Sequence, residues 1–164
     1  MRCFKTFVAV WFMLFFQAPF ALGQTFSVLP YLQDASPHEM VILWETTAGE
    51  ESIVEWGLTA DNLENTASGI SFSPAGTAFI HDVKITGLER FTTYFYRVKT
   101  GLLISEVYRF KTPPFASDDE DFRFVAMSDM QQSAADPNVF DEIIHEGVLD
   151  YLQSEYGGEA TDNL

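Results

Sequence analysis

Asp129 occupies the position in this chain that best suits metal chemistry. It follows Phe122–Met127, an apolar run with the composition of a strand buried on both faces of a parallel sheet. In open α/β sheets, ligands gather where the carboxyl ends of the strands meet. A carboxylate there can bind a hard or borderline metal ion if the next strand supplies a second carboxylate or a histidine. On spacing alone, a loop or cap role explains Asp129 equally well, so both interpretations stay open.

The histidines and glutamines are weaker candidates. His38 and His81 stand apart from any cysteine or second histidine at metal-ligand spacing, and packing or a backbone hydrogen bond is the favoured role of His81. His145 lies off the apolar face of a predicted helix. Gln131 and Gln132 are favoured as solvent-facing over contacting a substrate oxygen. We therefore predict no catalytic residue and no organic cofactor site in this chain.

The elements before Asp129 form an all-β region. Short runs rich in β-branched and aromatic residues alternate with turn residues, as they do in a two-sheet sandwich. Residues 58–69 are less regular and are predicted to be a loop or a short edge strand. The predicted strands are Thr25–Leu32, Met40–Thr46, Ser52–Gly57, Thr77–Thr86, Thr93–Lys99 and Glu106–Lys111.

Four residues of this region are predicted to be structural. Trp44 and Trp56 could form a platform for stacking a sugar, but tryptophans on adjacent strands are favoured as core. Leu88 and Tyr94 stand six residues apart across a turn. They look like the tyrosine corner of immunoglobulin-like sandwiches, in which the phenol hydroxyl bonds back to the chain.

A linker and half of a second domain are predicted after the β region. Residues 114–121 combine a proline with an acidic run, which indicates a solvated linker. Residues 122–164 then indicate a strand, a polar loop and a helix whose apolar residues recur on one face from Phe140 to Leu152. That is half of a βαβ unit, which has no sheet to cover. We therefore expect a natural protein that continues beyond Leu164, in preference to a disordered tail.

The chain begins with the pattern of a cleavable secretory signal. Arg2 and Lys5 supply a positive region, residues 7–16 are all apolar, and small residues occupy the positions that a signal peptidase reads in Ala21–Gly23. The mature chain is predicted to begin at Gln24. Because the apolar run is shorter than the roughly 20 residues that span a bilayer, cleavage is favoured over a retained anchor. A secreted, periplasmic or cell-surface location is expected.

Net charge and cysteine content limit the partners of the protein and the ways in which it can be stabilised. Removal of residues 1–23 takes away Arg2 and Lys5 and changes the formal charge from −15 to −17. A surface this acidic repels phosphate backbones, so we expect no nucleic-acid partner. The single cysteine, Cys3, lies in the same segment. No disulfide can then support the mature chain, and its stability is expected to come from a core rich in aromatic residues.

Five matching segments are spread over residues 30–114: Pro30–Gln33, Met40–Trp44, Val54–Gly57, His81–Leu88 with Thr93–Val98, and Phe110–Pro114. In this order they resemble the N-terminal fibronectin-III-like domain of purple acid phosphatases. The resemblance implies an antiparallel fibronectin-III/Ig-like sandwich at 24–113. It also implies that 122–164 is the truncated start of a calcineurin-like phosphoesterase domain of α/β class.

The same resemblance implies a role for Asp129. In that family, the opening strand of the second domain ends in an aspartate that binds the Fe³⁺ of a dinuclear centre, whose other metal is Zn²⁺, Mn²⁺ or Fe²⁺. Phe124–Gln131 looks like this strand, although Ser128 stands where the family usually has glycine. Gln131 takes the place of a histidine that purple acid phosphatases commonly lack. The remaining ligands are expected beyond Leu164.

The resemblance implies phosphate-ester hydrolysis by the parent protein, with a small-molecule substrate. Two metal ions would lower the pKa of a bound water and orient the phosphoryl group. With one ligand of an incomplete centre, the 164-residue chain itself is expected to be inactive. The alternative is a non-enzymatic secreted binding or adhesion module, because sandwiches of this kind serve many functions.

Overall fold

The computed structural model of this chain describes residues 23–74, 76–120, 125–126, 135 and 137–157. Nine strands lie in this part of the chain. They are β1 (Phe26–Gln33), β2 (Glu39–Thr46), β3 (Ile53–Gly57), β4 (Asn65–Ser68), β5 (Ile70–Phe72), β6 (Phe79–Thr86), β7 (Thr93–Thr100), β8 (Leu103–Ile104) and β9 (Tyr108–Lys111).

The strands form two antiparallel sheets. The first has the order β1-β2-β6-β5, and the second has the order β4-β3-β7, with β8 and β9 both pairing with β7. The mainly β sandwich is therefore confirmed, and each of the six predicted strands is present. The segment 58–69 contains β4, which pairs with β3 as an edge strand. The domain boundaries at residues 23, 113 and 121 stay predictions.

The core forms because side chains alternate along the strands. In β7, Tyr94, Tyr96 and Val98 point inward and are buried, and the residues between them are only half-buried. Trp44 is completely buried and Trp56 packs against the core from its rim, which confirms the structural interpretation of both tryptophans. The buried core comprises Met40, Ile42, Trp44, Val54, Val83, Ile85, Leu88, Tyr94, Tyr96, Val98 and Phe110.

Strand β1 differs from the others because none of its residues is buried. Its pairing with β2 shifts register between Phe26 and Val28 and again between Val28 and Tyr31. Pro30, which has no N–H to donate, lies inside the second shift. The first sheet therefore ends in an irregular edge strand that carries apolar side chains.

The tyrosine corner is present. Tyr94 lies in β7, and its phenol oxygen accepts a hydrogen bond of 2.8 Å from the backbone N–H of Glu89. Leu88 is buried beside it in the core cluster. This contact fixes the loop after β6 to the strand that follows it, as predicted.

His81 is a fully buried polar residue between the sheets. Its ring stacks on Trp44 with centroids 4.8 Å apart and planes inclined by 9°. Nε2 lies 2.8 Å from the Thr46 hydroxyl, and Nδ1 lies 2.8 Å from the Ser52 hydroxyl. The predicted packing role is confirmed, but the partners of the ring are side-chain hydroxyls and not backbone. Burial lowers the pKa of His81 below its usual 6.5.

A helical segment follows the sandwich in sequence. It consists of α1 (Val139–Glu142), a π-helical stretch (Ile143–Leu149) and α2 (Asp150–Tyr156), which confirms the predicted helix. Leu152 is buried, and Tyr151 beside it is exposed. The predicted strand before it lies outside the described residues apart from positions 125–126, which are not in a strand. Neither helix in the described ranges is long and apolar enough to cross a bilayer.

Replacing Tyr94 by phenylalanine tests the tyrosine corner. Tyr94→Phe leaves the Glu89 N–H without its acceptor while keeping the ring in the core. We expect the free energy of unfolding, measured by urea denaturation, to fall by about 1–2 kcal/mol. Tyr31→Phe, at an exposed position in β1, is the matched control. It is expected to change the free energy of unfolding by less than about 0.5 kcal/mol. Equal effects of the two substitutions would contradict this assignment.

The buried histidine predicts a dependence of stability on pH. Because its folded pKa lies below its unfolded pKa, His81 contributes fully above pH 6.5, and that contribution is lost as the pH falls. We expect the free energy of unfolding to decrease from about pH 7 to pH 5, and His81→Gln to flatten that slope. His38→Gln, at a solvent-accessible loop position, is expected to leave the slope unchanged. An unchanged slope in His81→Gln would show that burial of this ring does not set the dependence.

Candidate functional surfaces and the predicted metal ligand

Asp129 lies outside the described residues, and so do Gln131 and Gln132. Its role as a metal ligand therefore stays a prediction. Within the described ranges, no group of three or more histidine, cysteine, aspartate or glutamate side chains could hold a metal ion. The described part of the chain does not supply the ligands of a dinuclear centre.

The three histidines lie in separate places. His81 is enclosed in the core. Nδ1 of His38 lies 2.7 Å from the carbonyl oxygen of Leu88, which holds the ring at the rim of the sandwich. His145 is on the helical segment, is mostly exposed, and has Nε2 3.4 Å from Asp141 Oδ1 one turn away. Among the described residues, none of the three histidines belongs to a group of three or more side chains that could hold a metal ion. His145 is exposed, as its place off the apolar face of the helix predicts.

A charged cluster occupies the outer face of β3 and β7. The Glu55 carboxylate accepts hydrogen bonds from Arg97 Nε at 2.6 Å and from Lys99 Nζ at 2.9 Å. The hydrogen bond from Lys99 is the largest cause of a lowered Glu55 pKa, Arg97 lowers it further, and burial opposes them. A carboxylate held between two cations is a poor base, and the two cations are neutralised by it. This cluster stabilises the pairing of the strands and offers neither an anion site nor a proton acceptor.

An open groove lies between the edge strands β1 and β9. Its volume is about 540 Å³, and its lining is mainly aromatic and aliphatic. Sequence reasoning did not identify it, because the groove depends on two strands that are far apart in the chain. The lining residues are Pro30, Tyr31, Leu32, Ala60, Phe95, Tyr96, Val107, Tyr108 and Arg109.

A second pocket, of about 550 Å³, lies at the end of the sandwich where the chain leaves it. Arg90 and Phe115 dominate its rim, and neither was singled out from the sequence. The signal available in the sequence was an aromatic residue shortly before an acidic run. The pocket is lined by His38, Leu88, Glu89, Arg90, Phe91 and Phe115.

Among solved structures, the chain is similar to the sensor domain of the anti-sigma factor RsgI4 of Pseudobacteroides cellulosolvens. Identity is 16%, the TM-score is 0.44, and the match covers 60% of this chain and all of that one. A redesigned β-sandwich protein matches with 18% identity and a TM-score of 0.35, over 52% of this chain and 92% of the other. Similarities at this level carry no functional conclusion.

Comparison with proteins and protein families gives a more specific result. The chain is 33% identical over 111 residues to an acid phosphatase of Aspergillus ficuum, covering 57% of this chain and 18% of that protein. It therefore spans less than a fifth of the length of this relative. The family model of the purple acid phosphatase N-terminal domain matches residues 27–112, which include nearly all of the sandwich from β1 to β9. The chain belongs to this family.

Proposed function

We propose that this chain is the N-terminal part of an exported, metal-dependent phosphoesterase of the acid phosphatase type. The observation that carries the proposal is the family match at 27–112, which coincides with the folded sandwich. The 33% identity to an acid phosphatase supports a hydrolase parent. A small-molecule phosphate ester is the proposed substrate of that longer protein.

The proposal divides the work between two parts of the parent. The described sandwich has a packed core, a neutralised charged face and no cluster of metal ligands. We therefore assign it the role of a scaffold. The chemistry belongs to the part that Asp129 begins, where a dinuclear centre of Fe³⁺ with Zn²⁺, Mn²⁺ or Fe²⁺ would supply the activated water.

Export is the second part of the proposal. The Gln24 side chain donates a 2.6 Å hydrogen bond to the carbonyl of Ala48, and Thr25 N–H donates to the Thr47 hydroxyl at 3.1 Å. The residues at the predicted mature N-terminus are thus bonded to the sandwich. Cleavage after Gly23 would leave all of these contacts intact, which supports the proposed signal peptide.

The groove between β1 and β9 favours a second candidate function. An aromatic-lined, solvent-open groove suits recognition of a glycan or a protein by a non-enzymatic secreted module. This candidate needs no metal. A longer parent protein that shows no metal-dependent hydrolysis would favour it over the phosphoesterase.

The enzymatic proposal predicts a sharp effect at Asp129. In the longer parent protein loaded with Fe³⁺ and Zn²⁺, Asp129→Asn is expected to lower aryl phosphate hydrolysis by at least about 100-fold, because a metal ligand is lost. Metal content is measured in parallel. Asp119→Asn, an exposed carboxylate in the preceding linker, is expected to retain activity. The 164-residue chain alone is expected to be inactive, and hydrolysis by it or by Asp129→Asn would refute the assignment.

The export proposal predicts the mature N-terminus. When the full chain is produced in a host that exports proteins, mass spectrometry of the exported product is expected to place its N-terminus at Gln24, free or cyclised to pyroglutamate. Ala21→Lys places a long charged residue where the peptidase reads a small one and is expected to block cleavage. Recovery of wild-type protein that still begins at Met1 would contradict the signal peptide.

A further inference from the structure

We propose that residues 112–118 are a rigid joint that fixes the direction in which the chain leaves the sandwich, with Arg90 as its central residue. This segment overlaps the predicted linker at 114–121, for which solvation was expected. The inference concerns the described residues only. It holds whether or not the parent protein is a phosphoesterase.

Thr112 anchors the joint to the loop between β6 and β7. It is almost completely buried, and its hydroxyl donates a 2.6 Å hydrogen bond to the carbonyl of Glu89. The same hydroxyl accepts from Thr92 N–H at 2.9 Å, while Thr112 N–H donates to the Thr92 carbonyl at 3.0 Å. Phe91 N–H also reaches the carbonyl of Pro113 at 3.4 Å. The chain is thus tied to both ends of a short loop.

Phe115 is held from two sides. The His38 ring meets it edge-on with centroids 5.3 Å apart, and the Arg90 guanidinium lies over the ring, 5.6 Å from its centroid. His38 is itself fixed by its contact with the Leu88 carbonyl. Lysine can also lie over an aromatic ring, but only arginine has a flat guanidinium group that can lie against it. Phe115 therefore packs against the sandwich although part of its ring remains exposed.

Asp118 connects the end of the joint to Arg90 on the sandwich. Its Oδ2 lies 2.5 Å from Arg90 Nη1 and also accepts the backbone N–H of Phe115 at 2.9 Å. In return, Asp118 N–H donates to the Phe115 carbonyl at 3.0 Å. The Asp118 side chain is only 17% exposed. One carboxylate thus joins a turn within the segment to a cation on the sandwich.

Several of these contacts involve the same residues, so we expect residues 112–118 to behave as one unit. Arg90 touches both Phe115 and Asp118, and those two residues bond to each other. Loss of Arg90 would release the ring and the turn together. Asp129 follows Asp118 by only eleven residues. The joint therefore fixes the direction in which the chain leaves the sandwich toward Asp129.

Amide hydrogen exchange in the full chain tests the joint. The N–H groups of Phe115 and Asp118 are expected to exchange at least about tenfold more slowly than in an unstructured peptide. Arg90→Ala is expected to speed their exchange about 3- to 10-fold. Arg90→Lys, which keeps the charge but loses the flat group, should fall between wild type and Arg90→Ala.

Two controls keep the result specific. Lys84→Ala removes the exposed 2.9 Å ion pair with Glu39 elsewhere on the sandwich and should leave the joint amides unchanged. The Val98 amide, in the buried strand β7, reports whether the whole sandwich has loosened. The proposal is wrong if the wild-type joint amides exchange at unstructured rates, or if Arg90→Ala does not change them. Equal acceleration at Val98 would also overturn it.

Discussion

The two sheets are joined through Trp44, and the rest of the sandwich depends on that contact. Trp44 lies in β2 of the first sheet, and its indole N–H donates a 3.0 Å hydrogen bond across the core to the Thr100 hydroxyl in β7 of the second. Its ring stacks on His81, whose nitrogens lie against two further buried hydroxyls. A sandwich without cysteines has no disulfide between its layers. Apolar burial and this buried polar network bring the layers together and align them.

The strands could be predicted because their signal is local. Alternation along β7 and the spacing of Leu88 and Tyr94 depend on neighbouring residues, and sandwich geometry turns that pattern directly into burial. The hydroxyl partners of His81 could not be predicted in the same way. Ser52 is twenty-nine residues away in sequence and reaches the ring only through the pairing of whole strands.

The predicted linker shows what composition does not specify. An acidic run normally indicates solvation, because carboxylates lose hydration when they are buried. Here Asp118 is compensated by Arg90, and the aromatic residue before it packs against the same arginine. The candidate metal ligand is a different case. Asp129 could be proposed as a metal ligand from its place after an apolar run and from a family resemblance. A single carboxylate does not specify which other side chains would complete a metal site.

The irregular edge strand β1 bears on how the molecule behaves in concentrated solution. A regular edge with exposed apolar side chains invites a neighbouring copy to extend the sheet, which is how many β proteins begin to aggregate. Two shifts of register and a proline interrupt the row of free backbone groups on β1, and β4 and β5, the strands at the opposite edges, are only four and three residues long. The sheets are thus poor templates for growth into fibrils, even though Leu29 and Tyr31 are open to water.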